Sequence, residues 1–123
     1  MRSITFQFEG LPPSYNKSFK INYNFREVYL TEECRTFKTK VKFLCPHVEI
    51  DELDKMRITI MYNNDWHYKN GKIRRKDIQN LDKLLIDALA ERLNCDDSQF
   101  FEVHLFKIQS DKTFTVINIE VME

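Results

Sequence analysis

The sequence predicts an α+β fold in which two helices pack on one sheet. Segments 3–9 and 57–62 alternate apolar and polar residues, which is the period of half-buried strands. Two later segments, 100–108 and 113–122, also have strand character and are separated by the turn "QSDK". Apolar residues at helical spacing lie before and after the second strand, so the predicted order is β-α-β-α-β-β.

The strands are expected to present one apolar face to a common core. The stretch "GLPPSYN" ends the first strand, because its two prolines cannot donate to a sheet ladder. The segment 15–29 that follows has no clear period. The residues expected to point inward are Ile4, Phe6, Phe8, Ile58, Ile60, Tyr62, Ile117, Ile119 and Val121.

Capping residues and apolar stripes predict the two helices. Thr31 can cap the first helix, with Glu32 and Glu33 in its first turn, and Pro46 ends it. Asp77 is a suitable N-cap for the second helix, which "NCDDS" terminates. The predicted buried stripes are Cys34, Phe37, Val41, Leu44 and Cys45 in the first helix and Leu81, Leu84, Leu85, Ala88, Leu89 and Leu93 in the second.

The bulk composition indicates one domain with a packed core. The chain has 123 residues, of which 42% are hydrophobic, and 19 cations balance 19 anions. Any affinity for nucleic acid must therefore come from a local patch. The spacing of Cys34, Cys45 and Cys95 argues against disulfides and structural zinc and predicts core positions. No signal peptide or membrane span is evident, which predicts a cytosolic protein, or a nuclear one in a host with a nucleus.

A cluster of cations precedes the second helix and stops at Asp77. A cationic loop that leads into an acidic helix start would hold a phosphate beside a metal-binding carboxylate. The alternative is a solvated hairpin tip, with Asp77 serving only as a helix cap. Five of the eight positions 69–76 are cations, namely Lys69, Lys72, Arg74, Arg75 and Lys76.

A polar strip runs along the second helix beside its leucines. Asn80, Lys83 and Asp87 stand at i, i+3 and i+7, and the pair Asp96–Asp97 follows the helix. The acidic residues at the two ends of the helix converge if the strand after "CDDS" runs back past the helix start. Magnesium binds such oxygen ligands, and a lysine nearby stabilises charge on a phosphate. The alternatives are an ordinary i,i+4 ion pair on the helix and acidic turn residues after it.

The pattern "KDIQNLDKLLIDAL", followed nine residues after Asp87 by "DDSQ", resembles the RusA family of Holliday junction resolvases. The signature of that family is roughly R-x-D-x-D-N-x-x-K, then a D-A-L ending, then D-D-x-Q or D-D-x-x. The N-terminal "LPPSYN" is similar to the loop that follows the first strand in the family. Lys107, ten residues after Asp97, stands where a basic residue is expected. The resemblance covers nearly the whole chain.

The resemblance implies one RusA-like domain over residues 1–123, with a mixed four-stranded sheet and two helices on one face. It also implies a homodimer that cuts two strands of a four-way DNA junction symmetrically with magnesium or manganese, away from any membrane. The implied catalytic residues are Asp77, Lys83 and Asp97, and the implied metal ligands are Asp77 and Asp97 together with Gln79 and Asp96. The implied DNA-binding residues are Asn16, Lys69, Lys72, Arg74, Arg75, Lys76, Asn80 and Lys107.

Gln79 departs from the family pattern, which has a second aspartate at this position. An amide oxygen can coordinate magnesium but carries no charge, so the site is either weakened or completed by another carboxylate. The candidates for that third carboxylate are Asp82, Asp87 and Asp96. Two rival interpretations remain: a module that binds junctions without cutting them, and a small α+β interaction protein whose cationic loop is a solvated tip.

Aromatic and basic residues alternate in the segment 15–29. Aromatic side chains there either stack on bases opened at a junction or pack the segment onto the sheet. The composition, which is rich in Asn, Lys, Ile and Phe, suits a bacterial, prophage, phage or other viral genome. The residues concerned are Tyr15, Phe19, Tyr23, Phe25 and Tyr29 with Lys17, Lys20 and Arg26.

Overall fold

The computed structural model describes residues 2–14, 19–22 and 27–123. Its elements follow the predicted order, with one additional hairpin between the first strand and the first helix. The elements are β1 (Ser3–Glu9), β2 (Phe19–Asn22), β3 (Glu27–Leu30), α1 (Glu32–Leu44), β4 (Lys55–Asn64), α2 (Gln79–Leu93), β5 (Phe100–Gln109) and β6 (Phe114–Met122).

The main sheet is mixed and has the strand order β1-β6-β4-β5. Strand β6 pairs antiparallel with both β1 and β4, whereas β4 and β5 are parallel. A parallel pair needs a crossover connection, and here α2 provides it. The C-terminal ends of β4 and β5 therefore lie at the same edge of the sheet, where the chain enters the loop that leads to α2. The predicted α+β fold with a four-stranded sheet and two helices is confirmed.

The core lies between the sheet and the two helices. All nine strand residues expected to face inward are buried or pack against the core, and the whole leucine stripe of α2 is buried. Leu44 is an exception to the predicted stripe of α1, because it is 39% exposed while Cys45 takes the core position at the end of the helix. No helix in the described ranges is long and apolar enough to cross a membrane.

The three cysteines have the predicted role. All are free thiols; Cys34 and Cys45 are buried in the core, and Cys95 packs against it. Burial raises the pKa of Cys45 to about 11, so its thiol stays protonated at neutral pH. These cysteines serve packing, since a protonated buried thiol is a poor nucleophile.

The beginning of α2 differs from the prediction. Ile78 occupies the N-cap position with helical angles (φ −58°, ψ −35°), and no side chain caps this helix. The Asp77 carbonyl already accepts a hydrogen bond from the Asn80 amide (3.1 Å), so backbone turning begins before the helix proper. The prediction that Asp77 is the N-cap is therefore wrong. Capping by its side chain would need an extended residue followed directly by the helix.

The hairpin β2–β3 was not predicted. Its strands have four residues each and pair antiparallel from Phe19↔Leu30 to Asn22↔Glu27, apart from the main sheet. Strands this short carry too few residues to display a period of two. Residues 15–18 and 23–26 lie outside the described residues, and with them Asn16 and much of the predicted aromatic-basic segment.

One buried hydroxyl in the core gives a test of the fold. Tyr62 is fully buried, and its hydroxyl finds no hydrogen-bond partner in the described part of the chain. We expect Tyr62→Phe to raise the free energy of unfolding by about 1 kcal/mol, because an unsatisfied buried hydroxyl is destabilising. Urea denaturation measures the change, with Tyr68→Phe as an exposed control. A loss of stability instead would mean that the hydroxyl has a partner outside the described residues.

Candidate active site

Lys83 links two carboxylates that are distant in sequence. Its ammonium lies 3.2 Å from Oδ1 of Asp87 and 3.4 Å from Oδ2 of Asp97. The first contact is the i,i+4 pair expected on a helix. The second exists because Asn94 ends α2 in the left-handed conformation (φ 53°, ψ 49°), which turns the chain back along the helix. Lys83, Asp87 and Asp97, called here the Lys83 cluster, therefore form one site.

The two carboxylates keep Lys83 charged. Hydrogen bonding to Asp87 raises the pKa of Lys83 above its usual range, and the contact with Asp97 adds to this effect. The ammonium is therefore protonated at neutral pH and cannot act as a general base there. The Lys83 side chain is 48% exposed, so a phosphate oxygen can reach it from solvent.

The Lys83 cluster borders a small acidic cleft of about 350 Å³. Among its lining residues, Glu91 is already paired with Lys38 at 2.9 Å. Asp87 and Asp97 both face this cleft, so their oxygens are accessible to a cation from solvent. The lining residues are Lys38, Asp87, Ala90, Glu91, Cys95, Asp96 and Asp97.

Asp96 has a structural partner of its own. Its Oδ2 accepts a hydrogen bond from the Ser98 amide (3.2 Å), and the Gln99 side chain bonds back to the Asp96 amide (3.1 Å). This capping box begins the short 3-10 helix Asp97–Gln99. The hydrogen bonds from Ser98 lower the pKa of the Asp96 carboxyl. Asp96 thus fixes the turn from which Asp97 reaches Lys83, and its role as a metal ligand stays a prediction.

Asp77 and Gln79 lie at the other end of α2. Both are exposed, and no hydrogen bond or ion pair joins either side chain to the Lys83 cluster among the described residues. Ten residues separate Asp77 from Asp87, which corresponds to roughly 15 Å along a helix. In the described ranges, no three His, Cys, Asp or Glu side chains group as a metal site. The predicted convergence of Asp77 with Asp97 therefore stays a prediction.

Asp82 is partly buried, whereas Lys83 is exposed. Burial raises the pKa of its carboxyl, and its charge is one of the influences that raise the pKa of the core residue Tyr62. Neighbouring positions on a helix point about 100° apart, so Asp82 does not share the direction of Lys83. Of the three carboxylates proposed to replace the missing aspartate, only Asp87 forms an ion pair with the Lys83 ammonium, which also contacts Asp97.

The five cations lie on an ordered turn, residues 69–76, called here the basic loop. An isolated bridge pairs His67 with Ile73, and Gly71 turns the chain with a positive φ of 84°. The Arg74 guanidinium lies 5.0 Å from the centre of the Tyr68 ring, which orients it by a cation–π contact. All five cations are exposed, so the hairpin tip and the phosphate surface are compatible descriptions of the same loop.

The C-terminal end of β5 anchors the basic loop. Oε1 of Gln109 accepts a hydrogen bond from the Trp66 amide (3.0 Å) and lies 2.8 Å from Nδ1 of His67. The Lys107 ammonium donates to the carbonyl of Lys76 and lies 4.8 Å from the centre of the Trp66 ring. The Gln109 contacts could not be predicted from the sequence, because they depend on which strand lies beside β4.

Comparison with protein families finds a match for most of the chain. Residues 9–120 match the family of endodeoxyribonuclease RusA. The match spans the basic loop, α2 and the Asp96–Asp97 pair, and it covers nearly the whole chain. Comparison with curated proteins finds no match. The chain therefore belongs to the RusA family of endodeoxyribonucleases, which resolve Holliday junctions.

Proposed function

We propose that the protein is a homodimeric, metal-dependent nuclease that cuts four-way DNA junctions by paired symmetric nicks. The observation that carries this proposal is the contact of Lys83 with both Asp87 and Asp97 in a chain of this family. Two strands of a junction are related by two-fold symmetry, and a C2 dimer offers two equivalent sites. The proposed catalytic residues are Asp77, Lys83 and Asp97, with Asp87 as the additional carboxylate.

The donor groups fit magnesium or manganese. Both ions prefer oxygen ligands, and magnesium commonly uses one or two protein carboxylates together with substrate phosphate and water. Asp87 and Asp97 offer two such carboxylates around a single cation, the Lys83 ammonium. Asp77 and the amide oxygen of Gln79, roughly 12–15 Å along the helix from Asp87, would bind the ion in the alternative version of the site, in which Asp87 does not. A bound ion would supply an activated water and charge stabilisation at the phosphate for in-line hydrolysis.

Lys83 contributes charge in this proposal. Its raised pKa keeps it cationic, so it stabilises negative charge that develops on the phosphate or on the leaving oxygen. Deprotonation of the attacking water belongs to another group, because Lys83 has no free pair to accept a proton. The exposed half of its side chain allows the ammonium to turn from the carboxylates toward a phosphate.

A synthetic four-way junction tests the proposed function. The protein is incubated with the junction and manganese, and the products are examined for nicks at symmetric positions on two strands. A linear duplex of the same sequence is the control and should stay intact. Light scattering of the protein alone is expected to give the mass of a dimer. Binding of the junction without cutting would favour the rival interpretation of a module that binds junctions only. In that case the uncharged Gln79 would explain the loss of cutting.

The basic loop is proposed to bind DNA phosphates. We expect the double variant Arg74→Ala/Arg75→Ala to weaken junction binding at low salt and to flatten its salt dependence. Each lost phosphate contact should reduce the log–log slope by about 0.9, because fewer counterions are released. Lys55→Ala is the matched control, since Lys55 begins β4 at the end opposite the loop. An unchanged slope in the double variant would mean that these arginines do not touch DNA.

A further inference from the structure

The ammonium of Lys107 makes two contacts within the protein. It donates a hydrogen bond to the carbonyl of Lys76 and lies 4.8 Å from the centre of the Trp66 ring. Lys107 is partly buried, whereas the five cations of the basic loop are exposed. The bonded carbonyl belongs to the peptide that joins Lys76 to Asp77. A contact at this peptide fixes the direction in which the chain enters Asp77 and α2.

The parallel pairing of β4 and β5 produces this contact. The register places Lys107 beside Tyr62, close to the point where β4 ends and the chain leaves for the basic loop. Trp66 lies just beyond that point and is 4% exposed. Its Nε1 is placed between the carbonyls of Tyr62 and Ile108, at 3.1 Å from each. The indole is thus attached to both strands and forms a fixed surface for the ammonium.

The two ends of the loop region are held by alternate residues of one strand. Gln109 holds its beginning, since its Oε1 accepts from the Trp66 amide and its Nε2 donates to Oδ1 of Asp65 (3.0 Å). Lys107, two residues earlier on the same strand, holds its end at Lys76. The pair therefore sets where the basic loop and the start of α2 lie relative to the sheet.

We propose that Lys107 is a positioning residue that fastens the end of the basic loop, and thereby Asp77, and that it makes no phosphate contact. This inference rests on the proposed function, in which the loop binds phosphates and Asp77 belongs to the catalytic centre. It differs from the expectation that Lys107 binds DNA. Because the Lys107 ammonium is shared between a carbonyl and an aromatic face, a phosphate would have to displace these contacts to bind it.

Lys107→Met tests this role, because methionine keeps an unbranched apolar stem on Trp66 and removes the donor. Trp66 is the single tryptophan of the chain, so its fluorescence reports the contact directly. We expect Lys107→Met to shift the emission of Trp66 and to speed amide exchange in residues 74–80. Cutting should fall roughly tenfold or more, since displacing a catalytic group by about 1 Å can cost on the order of a hundredfold. The salt slope of junction binding should not change.

Two further variants make the test specific. Lys107→Arg keeps a cation and a donor, and should restore the emission, the exchange rates and most of the cutting. Lys76→Met removes an exposed cation of the loop and leaves the bonded carbonyl in place. It should reduce the salt slope by about 0.9 without changing Trp66. Thermal melting establishes that each variant is folded before it is compared.

The outcomes separate the positioning role from DNA contact. A fall in the salt slope by about one in Lys107→Met would overturn the proposal, because it would identify Lys107 as a phosphate contact. Unchanged emission and exchange in that variant would also overturn it. Fluorescence and exchange require no cutting. If the native protein cuts no junction while Lys107→Met shifts both signals, the proposed function fails and the fastening of the loop stands.

Discussion

Replacing Lys83 by alanine is expected to abolish junction cutting while junction affinity changes little. The ammonium is the cation between Asp87 and Asp97, and its raised pKa keeps it charged when a phosphate arrives. Removing one such stabilising group from an active site typically costs on the order of 10²–10³ in rate. A single exposed cation contributes little to overall DNA affinity beside the basic loop. Single-turnover cutting and equilibrium binding of the same labelled junction measure the two effects.

The same variant has an expected effect on metal binding. The Lys83 ammonium and a divalent cation compete for the carboxylates of Asp87 and Asp97, so Lys83→Ala should bind manganese at least as tightly as the native protein. Calorimetric titration without DNA measures this affinity. Lys83→Arg retains the charge and serves as the control. Cutting at a normal rate in Lys83→Ala would mean that Lys83 is not catalytic. Weaker manganese binding in this variant would mean that Lys83 holds the two carboxylates in place for the ion and does not compete with it.

The pH dependence follows from the direction of the Lys83 shift. Because its pKa lies above the ordinary value near 10.4, Lys83 stays protonated throughout the neutral range. Its ion pairs stabilise the fold below that ordinary value and are lost only as pH rises through the higher folded-state pKa. Loss of cutting between pH 7 and 9 would therefore have to be assigned to another group.

The parts of the fold that sequence could predict are those set by local periodicity. Ile58 and Ile60 alternate with polar residues, and Leu81 and Leu85 repeat at helical spacing, because each pattern reports one face of one element. The contact of Lys83 with Asp87 is equally local, since i and i+4 are neighbours on any helix. Such predictions need no knowledge of which elements meet.

The remaining features depend on backbone angles or on contacts between distant segments. The stretch "NCDDS" predicted that α2 ends, but Asn94 had to turn left-handed before Asp97 could approach Lys83. After this turn, Asp96 caps the short 3-10 helix Asp97–Gln99, while the side chain of Asp97 reaches back to Lys83. Lys107 meets the basic loop only because β5 lies parallel beside β4, a register that spacing along the chain does not reveal.

Changing single carboxylates to amides is expected to identify the third anionic ligand. We expect Asp97→Asn and Asp87→Asn each to weaken manganese binding about tenfold or more and to reduce cutting at least a hundredfold. Asp82→Asn and Asp96→Asn should have small effects on both. Asparagine caps a helix about as well as aspartate, so Asp96→Asn removes the charge while it keeps the turn. Calorimetry and single-turnover cutting give both quantities for all four variants.

Other patterns of loss would point elsewhere. If Asp96→Asn abolishes metal binding while Asp87→Asn does not, the ligand is Asp96 and its bond to Ser98 must open when the ion binds. If Asp82→Asn does so, the ligand is Asp82, and the burial that raises the pKa of its carboxyl must be relieved when the ion binds. If only Asp97→Asn loses manganese binding, Asp97 is the one carboxylate at this end of α2 that the ion requires, and Asp87 is not a ligand.

Restoring the aspartate of the family pattern at position 79 is expected to strengthen magnesium binding. Gln79→Asp adds an anion at the beginning of α2, where opposite charges a few ångströms apart attract by about 4 kcal/mol at an effective dielectric near 20. Desolvation of the new carboxylate offsets most of this, so we expect a net gain of about 1 kcal/mol, or several-fold in magnesium affinity, if Asp77 binds the ion. Increased cutting at low magnesium would mean that the natural site is a weakened version of the family site. A slower variant, together with a native enzyme that already cuts well, would mean that another carboxylate fills the third place, and the amide variants of Asp82, Asp87 and Asp96 would identify it.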